Sequence, residues 1–506
     1  MGLKHLVCAL VATAFLAAGG YRAFAAEKTE GELRVQANKA QQAGNFKDAY
    51  EVYRKLTADP RTDPGQVSGD LTNGINCLER LGRWDEIDDF REKAIATHGD
   101  NWRLLQTAAE TYQNVEHTGF IVAGKFLRGG RHEGTGKVVH AFERDRVRAL
   151  QLMEQAAKKA ENEAQKHPVA ELYFRFADML LDRRYGQGAW RLQYLSDLSK
   201  LPDYEDGYPY YYYGGGNNRG APVDEDGKPV YHKTPKSWQE SKTDGERWRW
   251  CLLQAQELSP GVKWRARTIF AAFLHEQFGV QTMLDYSYRP MRMGRGMGAA
   301  AALPGPEQPD DTRKDESGPY AVFSLKDNET IGRLANGVKR FELPDEFNYI
   351  KIFQEIGEAA PQPEGEMALN TLAGIYADRQ QYDRSVDYWK RSIAKFGDPH
   401  SGKKQQIEQI LGNWVLFDPS QTAPAGTEPR LSFLFRNGKK VSFTAHEVNV
   451  QKLLDDVKAY IKSKPAQLNW QEMQIDNLGH RLRHGLSGEL DFGPWEALCK
   501  RPVALE

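Results

Sequence analysis

Two glycine-rich motifs in this sequence resemble nucleotide-binding loops. Residues Gly294–Ala299 have the glycine spacing of a dinucleotide-binding turn, but no strand precedes them and no helix clearly follows to offer its N-terminus to a phosphate. Residues Gly130–Val138 are one residue too long for a phosphate loop and end in valine where the magnesium-binding hydroxyl belongs. We therefore interpret both as loops and expect no cofactor.

The histidines are the next candidates for chemistry. In His275–Gly279 a histidine and a glutamate are followed, one turn later, by glycine instead of the second histidine of a zinc site. His117, His132 and His140 lie in one region without tight ligand spacing. We interpret these side chains as structural or solvated, and predict neither a metal site nor a catalytic site.

A tyrosine-rich segment is the strongest candidate for binding. Tyrosine rings have flat apolar faces and a hydroxyl group, which suit contacts with a peptide or a glycan. The alternative is that the rings pack over the helical surface, because a loop this long stays ordered only by burying such groups. The candidate peptide-binding residues are Tyr208, Tyr210, Tyr211, Tyr212 and Tyr213.

Charge and cysteine content exclude several classes of protein. The 68 basic and 69 acidic side chains nearly cancel, whereas nucleic-acid binding normally uses a one-sided positive field. Beyond the first 26 residues the cysteines are Cys77, Cys251 and Cys499, which are far apart and odd in number. We therefore expect no nucleic-acid partner, no disulfide framework and no zinc cluster.

The first 26 residues have the composition of a secretory signal peptide. A basic start is followed by an apolar run, Leu6–Ala18, which is too short to span a bilayer, and then by the small-residue pattern Ala23–Ala26. We expect cleavage after Ala25 or Ala26, a periplasmic or secreted location and no stable membrane span. An uncleaved anchor is the alternative.

The elements that position these residues are predicted to be paired helices. Small residues such as Ala37 and Ala49 allow two antiparallel helices to approach, Gly44 marks the turn between them, and Pro60 ends the unit. The predicted fold class is mainly α: a tetratricopeptide-like α-solenoid with long irregular insertions and a small C-terminal β-hairpin/α segment. The expected organisation is helical repeats over 27–201, a Tyr/Gly/Pro-rich insertion over 202–240, a helical pair over 241–285, a flexible linker over 286–320, and repeat helices over 321–415.

Particular stretches add detail to this organisation. Residues Gly119–Val138 are expected to interrupt a helix pair at its turn, and 169–200 are expected to be helical. Alternating apolar residues on both sides of Asn437-Gly438 predict a β-hairpin, followed by an amphipathic helix over Leu453–Ile461.

Four strings of this sequence are distinctive: Asp100–Gln106, Val115–Lys125, Ala189–Leu195 and Asp244–Cys251. They resemble the helical region that precedes the macroglobulin domains of bacterial alpha-2-macroglobulin-like proteins. The resemblance extends over about residues 30 to 485, and Phe435–His446 is similar to the opening of the first macroglobulin β-domain, so 429–484 are expected to form part of such a domain. Residues 485–506 diverge, which suggests a truncated relative.

The resemblance implies a link to protease traps, whose thioester joins a cysteine to a glutamine three residues later. Cys251 and Gln254 have that spacing, but the family's glutamate before the glutamine is missing, and we reject them as a thioester. We expect a non-enzymatic exported scaffold that binds a protein or peptide, with proteases and envelope proteins as candidate partners. The alternatives are an independent tetratricopeptide adaptor of an envelope complex, and a glycan-acting enzyme using His132 or Tyr211.

Overall fold

The computed structural model describes residues 28–130, 136–181, 186–207, 220–280, 321–417, 433–437, 444–448, 499–504 and a few positions between 455 and 463, and every structural statement below concerns these residues. The described chain is mainly helical, with small antiparallel sheets. None of its helices is both long enough and apolar enough to cross a bilayer. The helices are α1 (Glu30–Gln42), α2 (Phe46–Ala58), α3 (Val67–Arg80), α4 (Ile87–Thr97), α5 (Trp102–Gln113), α6 (Phe142–Ala160), α7 (Lys166–Leu181), α8 (Asp244–Leu258), α9 (Lys263–Phe278), α10 (Tyr349–Ala359), α11 (Glu364–Asp378), α12 (Tyr382–Phe396) and α13 (Gly402–Leu411).

The chain divides into two compact units, residues 1–388 and 389–506. In the first unit consecutive helices from α1 to α11 pack against one another. The first pair forms as its sequence predicts: Ala37 and Ala49 are fully buried between α1 and α2, and Gly44 turns the chain with a φ of 79°. Thr29 and Glu32 form a capping box that fixes the start of α1.

The insertion between α5 and α6 forms part of a four-stranded antiparallel sheet, which the sequence did not predict. Its order is β2-β1-β3-β4. A tight turn at Ala123-Gly124, both with positive φ, joins β1 to β2. The helices on either side, α5 and α6, still pack together, so the sheet is an extension of a helix pair. The strands are β1 (Thr118–Val122), β2 (Lys125–Arg128), β3 (Lys137–His140) and β4 (Glu205–Asp206).

The predicted helix over 169–200 is correct only in its first part. α7 ends at Leu181, Gly186–Gln193 form a 3-10 helix, and 194–200 are not helical. Two glycines, Gly186 and Gly188, weaken helix propagation here. The carbonyl groups of the following residues bond to side chains from other helices, as described below.

Residues 241–280 form the predicted helical pair, α8 and α9. The expectation of helices throughout 321–415 is wrong for the hairpin of β5 (Glu329–Leu334) and β6 (Gly337–Glu342), which precedes α10. Gly337 lies directly after the two-residue loop. Its φ of 119° is a conformation that glycine adopts at little cost.

Residues 438–443, which contain the turn glycine and most of the second strand of the hairpin predicted around Asn437, lie outside the described residues of the second unit. β8 (Phe433–Arg436) pairs with β7 (Trp414–Phe417), whereas β9 (Thr444–Val448) pairs with β10 (Cys499–Ala504). Asn437 has a positive φ of 60°, and its side-chain amide donates to the carbonyls of Ile410 and Gly412 at the end of α13. The described positions of the predicted helix Leu453–Ile461 are helical.

Candidate interaction surface

Three large apolar side chains are exposed on the segment that follows α7. Trp190 is 47% exposed, Tyr194 62% and Leu195 45%. The rings of Trp190 and Tyr194 meet edge to face, with centroids 5.9 Å apart and an interplanar angle of 86°. The guanidinium of Arg191 lies 5.3 Å from the Trp190 ring centre. We call Trp190, Tyr194 and Leu195 the aromatic patch.

The backbone that carries this patch is attached to the first residue of α8. Asp244 accepts hydrogen bonds from the Ser196 amide at 3.0 Å and from the Ser196 hydroxyl at 2.5 Å. The amide of Asp244 in turn donates to the carbonyl of Tyr194 at 2.8 Å. The contacts therefore hold the chain on both sides of Leu195. The sequence favours this arrangement because a carboxylate is stabilised in the first turn of a helix.

Two arginines complete what we call the Asp244 cluster: Asp244, Arg146, Arg247 and Ser196. Arg146 of α6 donates to the Asp244 carboxylate at 2.9 Å and to the Ser196 hydroxyl at 2.8 Å. Arg247 donates to the Ser196 carbonyl at 2.8 Å. Asp244 is fully buried. Burial opposes its ionisation, but the charge of Arg146 and the hydrogen bonds from Ser196 outweigh burial and hold the pKa of Asp244 below its ordinary value.

Two further side chains of α6 bond to the same segment. Arg144 donates to the carbonyl of Pro202 at 2.7 Å, and Gln151 donates to the carbonyl of Leu198 at 3.1 Å. Polar side chains thus satisfy backbone groups that a helix would have satisfied internally. This is the physical reason that the segment after Gln193 keeps a defined path without regular secondary structure.

A second buried group, the Arg128 cluster, consists of Arg128, Asp88, Asp145 and His117. Arg128 donates to both oxygens of Asp145, at 2.8 and 2.9 Å, and to Asp88 at 3.0 Å. His117 Nδ1 lies 2.8 Å from the Asp145 carboxylate. Burial opposes ionisation of Asp145, but the bond from His117 and the charge of Arg128 outweigh it, so the pKa of Asp145 is also lowered. This cluster attaches the sheet to α4 and α6.

The predicted histidine candidates are not brought to a common site in the described chain. His117 belongs to the Arg128 cluster, whereas His140 on β3 has its Nε2 3.5 Å from the Glu205 carboxylate. His275 packs on the ring of Tyr349, and its pKa is lowered to about 4, mainly by burial. His132 lies outside the described residues. Among the described side chains, no group of histidine, cysteine and acidic residues could hold a metal ion.

The two residues with thioester spacing both lie on α8. Cys251 is fully buried, and burial raises the pKa of its thiol well above the ordinary value. Gln254 donates to the Glu257 carboxylate at 2.9 Å. Cys77 and Cys251 are both free and buried. A buried neutral thiol of this kind is a poor nucleophile.

The residues predicted to bind a peptide are not the residues of the aromatic patch. Tyr208 and Tyr210–Tyr213 lie outside the described residues. The sequence predicts a helix over 169–200, which includes Trp190, Tyr194 and Leu195, and so gives no indication that they are exposed. The signal that could have revealed them is the pair of glycines just before Ala189, which argues against a continuous helix. No protein-family model and no curated protein sequence matches this chain.

Proposed function

We propose that this chain is a non-enzymatic scaffold of the cell envelope that binds a protein or peptide through the aromatic patch. The observation that carries the proposal is the exposure of Trp190, Tyr194 and Leu195 on a segment whose backbone is fixed by buried charged groups. Tryptophan and tyrosine are the residue types that most often dominate binding energy at protein interfaces. Their clustering here supports binding of a partner.

Because the segment is already fixed, the entropic cost of ordering it on binding is lower. Ordering a flexible loop at an interface costs about 0.5–1.5 kcal/mol for each immobilised side chain. The Asp244 cluster has already ordered the backbone at Tyr194 and Ser196, so less of this cost remains. The arrangement is that of a preorganised recognition loop on a helical support.

The sequence resemblance supplies the wider context of the proposal. The helical strings are similar to the front region of bacterial alpha-2-macroglobulin-like proteins, and the consecutive packing of helix pairs supports a tetratricopeptide-like repeat array. On this basis the chain is exported by its predicted signal peptide, acts in the periplasm or outside the cell, and binds a protease or another envelope protein.

The test compares capture of envelope proteins by the mature chain and by two matched tyrosine variants. Tyr194→Ala removes a ring from the patch, whereas Tyr382→Ala removes a ring that is 46% exposed at the start of α12. We expect quantitative mass spectrometry to show a partner that the wild type and Tyr382→Ala retain and that Tyr194→Ala loses. Removing an aromatic anchor weakens binding by about tenfold or more.

The same capture result can contradict the proposal. If Tyr194→Ala and Trp190→Ala retain every protein that the wild type captures, with unchanged affinity, the aromatic patch is not the binding surface. If both tyrosine variants lose the partner equally, the loss does not depend on the patch, which also rejects the proposal.

A further inference from the structure

Asp244 has contacts on both sides of Leu195, at the end of the aromatic patch that includes Tyr194. Its amide donates to the carbonyl of Tyr194, while its carboxylate accepts two hydrogen bonds from Ser196. Leu195 lies between these two attachment points. Asp244 itself is completely buried, so a partner bound at the surface has no access to it.

We propose that Asp244 is the positioning residue of the aromatic patch, acting on a partner only through the backbone of Tyr194, Leu195 and Ser196. The inference rests on the proposed function, because positioning matters to binding only if the patch is the binding surface. Its structural half, the control of the path of residues 194–202, can be measured without a partner.

The chemistry of the cluster requires a carboxylate at this position. The donors that converge on it include the amide and the hydroxyl of Ser196, one nitrogen of Arg146 and one of Arg247. An asparagine keeps the shape of the side chain, but its NH2 group would face donors and its charge would no longer balance the arginines. Asp244→Asn is therefore a nearly isosteric change that weakens the attachment of Ser196, which keeps only its bonds to Arg146 and Arg247 undisturbed.

The fold of α8 has supports that do not depend on this carboxylate. The Thr243 hydroxyl caps the helix by accepting from the Glu246 amide at 3.1 Å, and Trp248 is fully buried one turn further on. We therefore expect the change at Asp244 to release the segment 194–202 while α8 stays folded.

The chain offers a matched control at Asp70 of α3. Asp70 is 2% exposed, and its carboxylate accepts hydrogen bonds from two nitrogens of the Arg34 guanidinium. Asp70→Asn likewise breaks a buried arginine–aspartate pair, and its contacts lie in α1 and α3. A general loss of stability would appear in both variants, whereas loss of positioning would appear only in Asp244→Asn.

The experiment is hydrogen–deuterium exchange, read by mass spectrometry, on the full mature chain. We expect peptides covering residues 194–202 to exchange about tenfold or more faster in Asp244→Asn, with α8 and α3 unchanged apart from frayed ends. Ser196→Ala, a milder change at a half-buried residue, should give a smaller increase at the same peptides. Asp70→Asn should leave them at the wild-type rate.

Equal protection of residues 194–202 in wild type, Ser196→Ala and Asp244→Asn would overturn the inference, as would equal acceleration in Asp70→Asn. If Asp244→Asn does not fold, the result for Ser196→Ala decides. Affinity for a captured partner should fall at least tenfold in Asp244→Asn and stay unchanged in Asp70→Asn. Faster local exchange with unchanged capture by both Asp244→Asn and Tyr194→Ala would reject the proposed function and the binding half of the inference, while retaining control of the segment.

Discussion

The Arg128 cluster and the Asp244 cluster use the same chemistry, but the apolar side chains near them differ in exposure. Each contains a buried aspartate whose pKa is lowered by arginine and by a second donor. Beside Arg128 the aromatic rings are half-buried against other rings: Phe126 stacks on Tyr204 with centroids 4.5 Å apart, and Phe142 packs on His117. Beside Asp244, by contrast, Trp190, Tyr194 and Leu195 are exposed.

The comparison separates two uses of a buried ion pair. Around Arg128 the charges attach a sheet whose apolar side chains find partners within the protein, so the whole arrangement contributes to the fold. Around Asp244 the charges hold a chain segment whose apolar side chains do not complete the core. A fixed backbone with exposed rings is costly for folding alone, and is typical of a surface kept for binding.

The largest expected effect is on stability and comes from Arg128→Ala. Removing this side chain leaves Asp145 buried without its main positive partner, which costs about 3–5 kcal/mol. Urea unfolding followed by circular dichroism should show that loss in the free energy of unfolding. Arg61→Ala is the control, because its pair with Asp59 is exposed and screened by solvent, so its loss should change the free energy of unfolding little. Similar losses in the two variants would show that the Arg128 cluster does not support the fold.

Gly245→Ala should have a smaller effect, confined to the region of the Asp244 cluster. A Cβ at this position would lie 2.2 Å from Nδ1 of the buried His232 ring, so the ring must move. Overpacking of this kind costs about 1–3 kcal/mol. Gly261→Ala, where a Cβ meets nothing within 4 Å, is the control. Equal melting temperatures for the two variants would show that His232 moves without cost.

Acid should weaken both clusters in the same direction. The folded pKa of Asp145 and that of Asp244 lie below the ordinary value, so their contribution to stability is complete above about pH 3.9 and is lost as pH falls through the folded pKa. The free energy of unfolding should therefore fall more steeply below about pH 4 in wild type than in Asp244→Asn. Parallel curves for the two proteins would show that Asp244 is not specially stabilised as a carboxylate.

The smallest expected effect on stability is that of Tyr194→Ala. An exposed side chain makes few contacts that are lost on truncation, so the free energy of unfolding should change by less than about 0.5 kcal/mol. Differential scanning calorimetry checks this prediction. A loss as large as that of Gly245→Ala would mean that Tyr194 supports the fold, and would remove the contrast between the two clusters.

Much of the helical organisation was predictable because it depends on local spacing. Ala37 and Ala49 are buried as the pattern of the first pair predicts, and α8 and α9 form within the predicted helical pair. Short-range rules could not give the partner of β9, which pairs with residues from Cys499 onward.

The candidate surface was not predictable for the same reason. Trp190 and Tyr194 fit a helical spacing, and nothing near them in sequence shows that their segment is held by α6 and α8. The decisive bonds join Ser196 to Asp244, 48 residues away, and Arg146 to Asp244, 98 residues away. Local propensity contains no information about such contacts.

These sequence separations also set the order in which the two clusters can form during synthesis. A ribosome makes the chain from its N-terminus, so Arg128 meets Asp145 after 17 residues, whereas Arg146 waits 98 residues for Asp244. A nascent chain can therefore close the first cluster while Trp190, Tyr194 and Leu195 are still on an unanchored segment. The nascent protein passes through a stage in which these apolar side chains lie on a segment that is not yet bonded to Asp244. Synthesis of the first turn of α8 ends that stage.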